Sequence, residues 1–338
     1  MSSRESYAGM RHDSQSDTAL TMKYSRPKFV LLWRWLRSTG MLVGAGFIVW
    51  LLWRMMHDPK WLQDHIAIPG FIEAIAIGIA ANAVIGIAFS DLVAKTAPDI
   101  AFPKRVTAYY YAQIAKYVPG RLAALLVQRS ILSGPGATAA TIMSNLELIA
   151  VSGWLCAGAA LALLFGTASI PFGLIIGAAA IAIGALLIAL DWNPIMQCML
   201  RWIPKYRMSS VGMLPPSRGI NRRRSTILST GILVLPAASS YVLLINGLHV
   251  DHGLALLLTA LLLLSWVGGV IAFVFPAGIG IRELIFFALG SVVTGAPAPE
   301  FMAGIALASR LVQVLVDVAG TLLFLAFRRW IGFAKVST

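Results

Sequence analysis

Two stretches, Lys116-Tyr117-Val118-Pro119-Gly120-Arg121 and Phe275-Pro276-Ala277-Gly278-Ile279-Gly280-Ile281-Arg282-Glu283, interrupt an otherwise apolar chain, and their reading decides the fold. Each sets a helix-stopping Pro and Gly beside ionisable groups, between segments apolar enough to lie in lipid. Backbone that is neither helix nor closed barrel persists at membrane depth only where protein buries it or water reaches it. Both breaks are therefore expected to line a pathway or pocket.

Working outward, apolar runs cover about 39–56, 68–90, 137–165, 171–190, 227–248, 252–275 and 300–327. Each approaches or exceeds the roughly 20 residues a helix needs to cross the hydrocarbon core. With 58% hydrophobic and 12% charged residues, an ordinary soluble domain is excluded. No barrel-type alternation is visible. The interrupted segments, about 106–133 and 277–295, are apolar enough to enter the bilayer. The expectation is an all-α polytopic membrane protein with about seven or eight transmembrane helices, two Pro/Gly-broken re-entrant or hairpin segments and a weak internal repeat.

Residues 1–25 are polar, carry both signs and lack the apolar core of a secretory signal, which predicts a disordered tail. Arg26, Lys28, Arg34 and Arg37 precede the first span and place the N-terminus in the cytoplasm. The connection 191–226 falls on the same side and holds seven Lys and Arg up to Arg224, with no acidic residue between Asp191 and Asp251. Residues 26–330 form one transmembrane domain, and 331–338 a short tail. Arg328, Arg329 and Lys335 argue for a cytoplasmic C-terminus, which requires 277–295 to complete a short or tilted crossing. A net charge of +13 lying beside the spans, without a nucleic-acid module, points to anionic lipid at about 1 kcal/mol per basic residue near the headgroups, or to topology alone. Cys156 within a span and Cys198 near the basic loop indicate no disulfide framework.

Two spans, a broken hairpin and a span with an ionisable group describe 39–165; the same order describes 227–327, with 171–190 as connector. Repeats with broken elements in matching places point to a transporter's binding site. Glu147 lies ten residues into its helix and Arg310 ten past Glu300, both roughly 15 Å deep at 1.5 Å per residue. Insertion of such a charge is unfavourable by roughly 2.5–3.5 kcal/mol, so each calls for a partner or a function. Arg310, Gln313, Asp317 and Thr321 form one stripe of a helix. Glu147 and Arg310 are expected to face one interior space, as a path, a gate or an ion pair. Tyr109, Tyr110 and Tyr111 are expected to form an interfacial belt.

Pro276 ends a helix, Gly278 and Gly280 free the backbone to expose amides, and a new helix is predicted to start near Ile281 with Arg282 in its first turn. Amides, a positive helix end and a guanidinium together suit a phosphate. Lys116 and Arg121, flanking the breakers Pro119 and Gly120, supply a second positive locus. The alternative is a kinked hairpin in which Arg282 and Glu283 satisfy neighbours.

At these residues the chain resembles the lysylphosphatidylglycerol synthase/flippase transmembrane family. The resemblance spans about 39–327 and rests on the Lys-Tyr-Val-Pro-Gly-Arg hairpin, a Glu inside the following span, the Pro-Ala-Gly-Ile-Gly-Ile-Arg-Glu segment and an Arg within the final span. It implies matches at Lys116, Pro119, Gly120, Arg121, Glu147, Gly278, Gly280, Arg282, Glu283 and Arg310. Glu147 stands in Ser-Asn-Leu-Glu-Leu, where the family often has Arg directly after the Glu. It also implies an integral protein of the bacterial inner membrane that moves phospholipids or polyprenyl-linked lipids between leaflets.

The resulting expectation is a flippase-like transporter of an anionic phospholipid or polyprenyl-phosphate lipid, not an enzyme, with no cofactor and no metal. Lys116, Arg121, Gly278, Gly280 and Arg282 are assigned to the headgroup, and Glu147, Glu283, Arg310 and Asp317 to the polar path or gate. No soluble stretch approaches an aminoacyl-transferring domain in length, and no P-loop occurs. Two alternatives remain. One is a membrane glycosyltransferase-like or lipid-modifying enzyme using His57, Asp58, Asp64, His65, His249, Asp251 and His252 of the outer loops. The other is a scaffold for lipid-synthesis or export partners.

Overall fold

The computed structural model describes Trp53 and residues 66–117, 122–134, 136–167, 222–271, 280–293 and 299–330. The expected spans 39–56 and 171–190, both tails and most of the basic loop lie outside these residues, Trp53 excepted. Within them every element is a helix: α1 Ile68–Thr96, α2 Phe102–Ala115, α3 Leu122–Leu132, α4 Ala137–Thr167, α5 Arg222–Val242, α6 His252–Ile271, α7 Ile281–Val293 and α8 Pro299–Trp330. Five of them, α1, α4, α5, α6 and α8, are long and apolar enough to cross a membrane. They coincide with the runs at 68–90, 137–165, 227–248, 252–275 and 300–327.

Specific contacts fix the directions of these helices. Lys95 on α1 meets Glu147 on α4 while Ala88 clusters with Leu155, and a side chain added at Gly231 of α5 would strike Val84 of α1 while Ser239 of α5 bonds the Ala74 carbonyl. Rising numbers on one helix thus meet falling numbers on the other, so α4 and α5 both run against α1. Gly78 and Gly320 of α1 and α8 pack beside Val316 and Asn82 respectively, so α8 runs with α1. Arg282 and Gly290 of α7 meet Gln313 and Met302 of α8, which makes that pair antiparallel. Gly269 at the end of α6 lies against Arg282 at the start of α7, so these two are antiparallel as well. Hence, among the described helices, α8 runs with α6 whereas α4 runs against α1.

The first broken segment is an antiparallel helix pair. Lys104 near the start of α2 donates a 2.8 Å hydrogen bond to Ser133 just past the end of α3. After the turn at 97–101, α2 doubles back along α1, where Tyr109, Tyr110 and Phe89 form a buried aromatic cluster. Tyr110 also stacks on Phe324 of α8 with ring centroids 4.4 Å apart. The expected interfacial belt is therefore corrected: only Tyr111 is exposed, because adjacent residues on a helix point about 100° apart and two of the three turn inward.

At the other end of α1 the ladder of α5 loosens into a π turn, Leu243–Gly247, seven residues past Pro236, whose ring supplies no amide. Gly70 of α1 abuts the Asn246 backbone so closely that any Cβ there would overlap it. The Ala67 amide donates to the Gly247 carbonyl at 2.9 Å, pinning the start of α1 to this turn. The largest core cluster among the described residues, including Leu258, Leu261, Phe286, Met302 and Ile305, joins α6, α7 and α8.

Candidate functional site at the helix breaks

Asn82 is the central residue of α1, fourteen positions from either end, and is almost fully buried. An amide there needs partners, since an unpaired buried polar group costs about 1–3 kcal/mol. Tyr109 of α2 donates to its Oδ1 at 2.6 Å, and its Nδ2 donates to Asp317 Oδ1 of α8 at 3.4 Å. Asp317 is thereby held at the level of the middle of α1.

The other oxygen of Asp317 is engaged from the first break. Lys116 Nζ lies 2.8 Å from Oδ2 and the Tyr117 hydroxyl donates to the same atom at 2.5 Å. Lys116 also donates to Gln113 at 2.7 Å and stands 5.4 Å from the centre of the Tyr117 ring. The stripe on α8 places Arg310 two turns earlier, its guanidinium 6.0 Å from the centre of that ring. Lys116 and Asp317, assigned separately to headgroup and path, are one ion pair.

The second break enters the same space. α7 starts at Ile281 with Arg282 in its first turn, as the Gly-rich sequence predicts. Gly280 has φ +84°, a conformation open to glycine and strained for a β-branched residue. Glu283 reaches back and accepts the Gly280 amide at 2.7 Å, half of a capping box, and its other oxygen lies 3.8 Å from Arg310. The expectation of a free Gly280 amide is therefore corrected: the carboxylate three residues on occupies it. Arg282 donates to Gln313 Oε1, and Arg310 approaches the same oxygen at 3.5 Å.

Two guanidiniums thus converge on one neutral amide oxygen, with Glu283 beside Arg310, and the Lys116–Asp317 pair and Arg310 both adjoin the Tyr117 side chain. Counting Lys116, Arg282 and Arg310 against Glu283 and Asp317 leaves one positive charge. Arg310 Nη2 is buried without a hydrogen-bond partner. A buried donor in a cationic site is the feature an oxyanion would complete, and paired guanidiniums present the planar geometry for it.

Glu147 is placed elsewhere. Its carboxylate lies 2.5 Å from Lys95 in the last turn of α1, so it does not share an interior space with Arg310 in the way its position in sequence suggests. Depth counted from the start of α4 misleads, because Glu147 is within a lysine's reach of the end of α1. It lines a cleft between α1, α4 and α5 with Asp91 and Lys95. Arg121, Pro119, Gly120, Pro276 and Gly278 lie outside the described residues.

Several participants escaped the sequence reading. Asn82 had a signal, a lone amide in the middle of an apolar run; Tyr117 lay inside the quoted motif without a role; Lys95 was hidden because charge ends an apolar run while the helix continues. Of the residues expected in outer loops, His252 Nδ1 lies 2.9 Å from the Tyr241 hydroxyl and Asp251 accepts the Gly253 amide at the start of α6. His57, Asp58, Asp64 and His65 lie outside the described residues, and among those described no three His, Cys, Asp or Glu side chains gather as metal ligands.

Fold and site define a helical protein with several spans of membrane-crossing length and a polar cluster at the centre of its bundle. Comparison of the chain with protein-family models, curated proteins and solved structures gives no match.

Proposed function

We propose that this protein moves an anionic lipid, a phospholipid or a polyprenyl-phosphate lipid, between the leaflets of a bacterial inner membrane, as members of the flippase-like family that it resembles are expected to do. The observation that carries the reading is the convergence of Arg282 and Arg310 on the single oxygen of Gln313, with Arg310 Nη2 left unpartnered. Cations drawn together at the centre of an apolar bundle repel one another, and a lipid phosphate relieves that repulsion while its chains remain in hydrocarbon. In this reading α2 and α3 form a re-entrant hairpin, α7 is the returning arm of the second break, and both N- and C-termini are cytoplasmic. The shared direction of α8 and α1 supports the last point together with the basic C-terminal tail. Glu283 holds Gly280 and Arg310 in place, and the ion pair of Asp317 gates the headgroup.

Reconstitution into vesicles of phosphatidylcholine with a fluorescent phosphatidylglycerol tests this reading, using reduction of outer-leaflet label as the readout. Arg282→Ala is expected to reduce lipid movement tenfold or more. Arg282→Lys keeps the charge without the bidentate fork and falls between Ala and the parent. A folded Arg282→Ala protein that moves lipid at the parental rate overturns the assignment.

A further inference from the structure

Asp317 differs from the other acidic groups of the site in how it is held. Its ammonium partner, Lys116, has 27% of its side chain exposed, whereas Asp317 itself has 6%. A ligand can therefore reach Lys116 without reaching the carboxylate. The remaining partners of Asp317 are neutral: the Tyr117 hydroxyl from the end of α2 and Asn82 from α1, the latter backed by Tyr109. On its own helix Arg310 is turned toward Glu283 and Gln313, and Arg282 of α7 is bound to Gln313. No cation other than Lys116 forms an ion pair with Asp317 among the described residues.

We propose that Asp317 is a proton-binding site linked to occupancy of the cationic cluster, so that one proton is taken up with each lipid phosphate. This inference rests on the headgroup reading above. When a phosphate oxygen draws the Lys116 ammonium away, Asp317 is left as a buried carboxylate whose hydrogen-bond donors are neutral, and the phosphate charge offsets that of Arg282, the guanidinium that acts on it from α7. Such a charge is far less favourable than the neutral acid, and the group takes a proton from water. The balance is simple: the carboxylate gains one proton, the ammonium keeps its three and changes partner, and no bond to phosphorus forms or breaks. The empty cluster carries one net positive charge; a phosphodiester anion and one proton restore that same charge. Proton and headgroup then move as one neutral pair of substrates, which couples lipid movement to a proton gradient.

The direction of the pH dependence follows. Uptake of a proton on binding makes affinity fall as pH rises, by up to tenfold per pH unit. Dihexanoylphosphatidylglycerol is titrated calorimetrically into the full-length protein in detergent, from pH 5.5 to pH 8, in pairs of buffers with different ionisation enthalpies. The expected result is uptake of close to one proton per lipid bound, together with weakening affinity at higher pH. Asp317→Asn, which imitates the neutral acid, is expected to bind with no proton uptake and with an affinity independent of pH. Binding without proton uptake by the parent protein throughout this range overturns the proton site and leaves the headgroup reading standing. An undiminished pH slope in Asp317→Asn also overturns it, because another group then takes the proton. Failure of the parent to bind this lipid at any pH removes the headgroup reading and this inference with it.

Discussion

Two groups of charges are built on the same helix, one at the end of α1 and one at its middle, and they are held in different ways. At the end, Asp91 and Lys95 meet Arg224 of α5 and Glu147 of α4, each carboxylate with a cation within 2.8 Å. Arg224 has 51% of its side chain exposed, and Arg105 beside Asp91 is only half-buried in the first turns of α2. At the middle, around Asn82 and Asp317, two guanidiniums compete for one amide oxygen and the nearest carboxylate to Arg310 stands 3.8 Å away. Helix ends lie near water, which completes whatever the protein leaves unpaired. The middle of a bundle has no such supply, so under the proposed function a ligand completes the cluster there, whereas the pairs at the end fasten helices together even though Asp91 Oδ2 and Arg105 Nε are buried without hydrogen-bond partners.

The sharpest test of this contrast is loss of one carboxylate from the central cluster. Glu283→Ala removes the one acidic partner of Arg310 among the described residues and the acceptor of the Gly280 amide at once. Breaking a buried pair in this way costs about 3–5 kcal/mol. Thermal unfolding in detergent should show a clear drop in midpoint, and addition of an anionic lipid should recover part of it by supplying the missing charge. A Glu283→Ala protein as stable as the parent would mean that water already enters the centre, and the contrast between the two regions would vanish.

Glu147→Ala comes next. Lys95 loses its charged partner, but from the last turn of an α-helix its long side chain can extend toward solvent. The expected loss is about 2 kcal/mol, near that of a single charged hydrogen bond. Anionic lipid is not expected to restore it. Lipid movement by the folded protein should remain within about twofold of the parent, measured in the same vesicles as Arg282→Ala. A transport loss as large as that of Arg282→Ala would join Glu147 to the path, as its place in the sequence had suggested.

The sequence made the central site partly legible, and the reasons differ from residue to residue. The start of α7 at Ile281 was readable because Pro and Gly terminate one helix and Glu283 caps the next within a few residues, all of it local chemistry. The stripe Arg310, Gln313, Asp317 and Thr321 was readable because helical periodicity fixes which residues share a face. Partner choice was not. That Asp317 meets Lys116 across about 200 residues of chain, or that Glu147 meets Lys95 rather than Arg310, depends on how far each helix slides along its neighbour. Small residues set that sliding: Gly78 lets Val316 close on α1, where a Cβ would stand 2.5 Å from it, and so brings Asp317 level with Asn82. Tyr109 and Tyr110 were misread because an aromatic run has the same composition in a belt as in a core; the neighbours decide, and they come from α1 and α8.

The smallest effect is expected at the rim. Arg224 Nε lies 2.8 Å from Asp91 Oδ2 and its Nη2 donates to Oδ1 at 3.0 Å, an ion pair with one hydrogen bond that on distance alone looks as strong as any among the described residues. Exposure decides otherwise. With half of the Arg224 side chain in contact with solvent, water solvates both partners once the pair is broken and salt screens them while it is formed. Arg224→Ala should therefore lower stability by less than about 1 kcal/mol. The difference from the parent should shrink further between 50 mM and 500 mM NaCl, whereas the deficit of Glu283→Ala should persist because ions do not reach the centre of the bundle. Thermal midpoints of the three proteins at both salt concentrations measure this directly. If Arg224→Ala loses as much as Glu283→Ala, and the loss is insensitive to salt, then the end of α1 is as sealed from water as its middle, and the position of a charge along the helix no longer separates fastening from function.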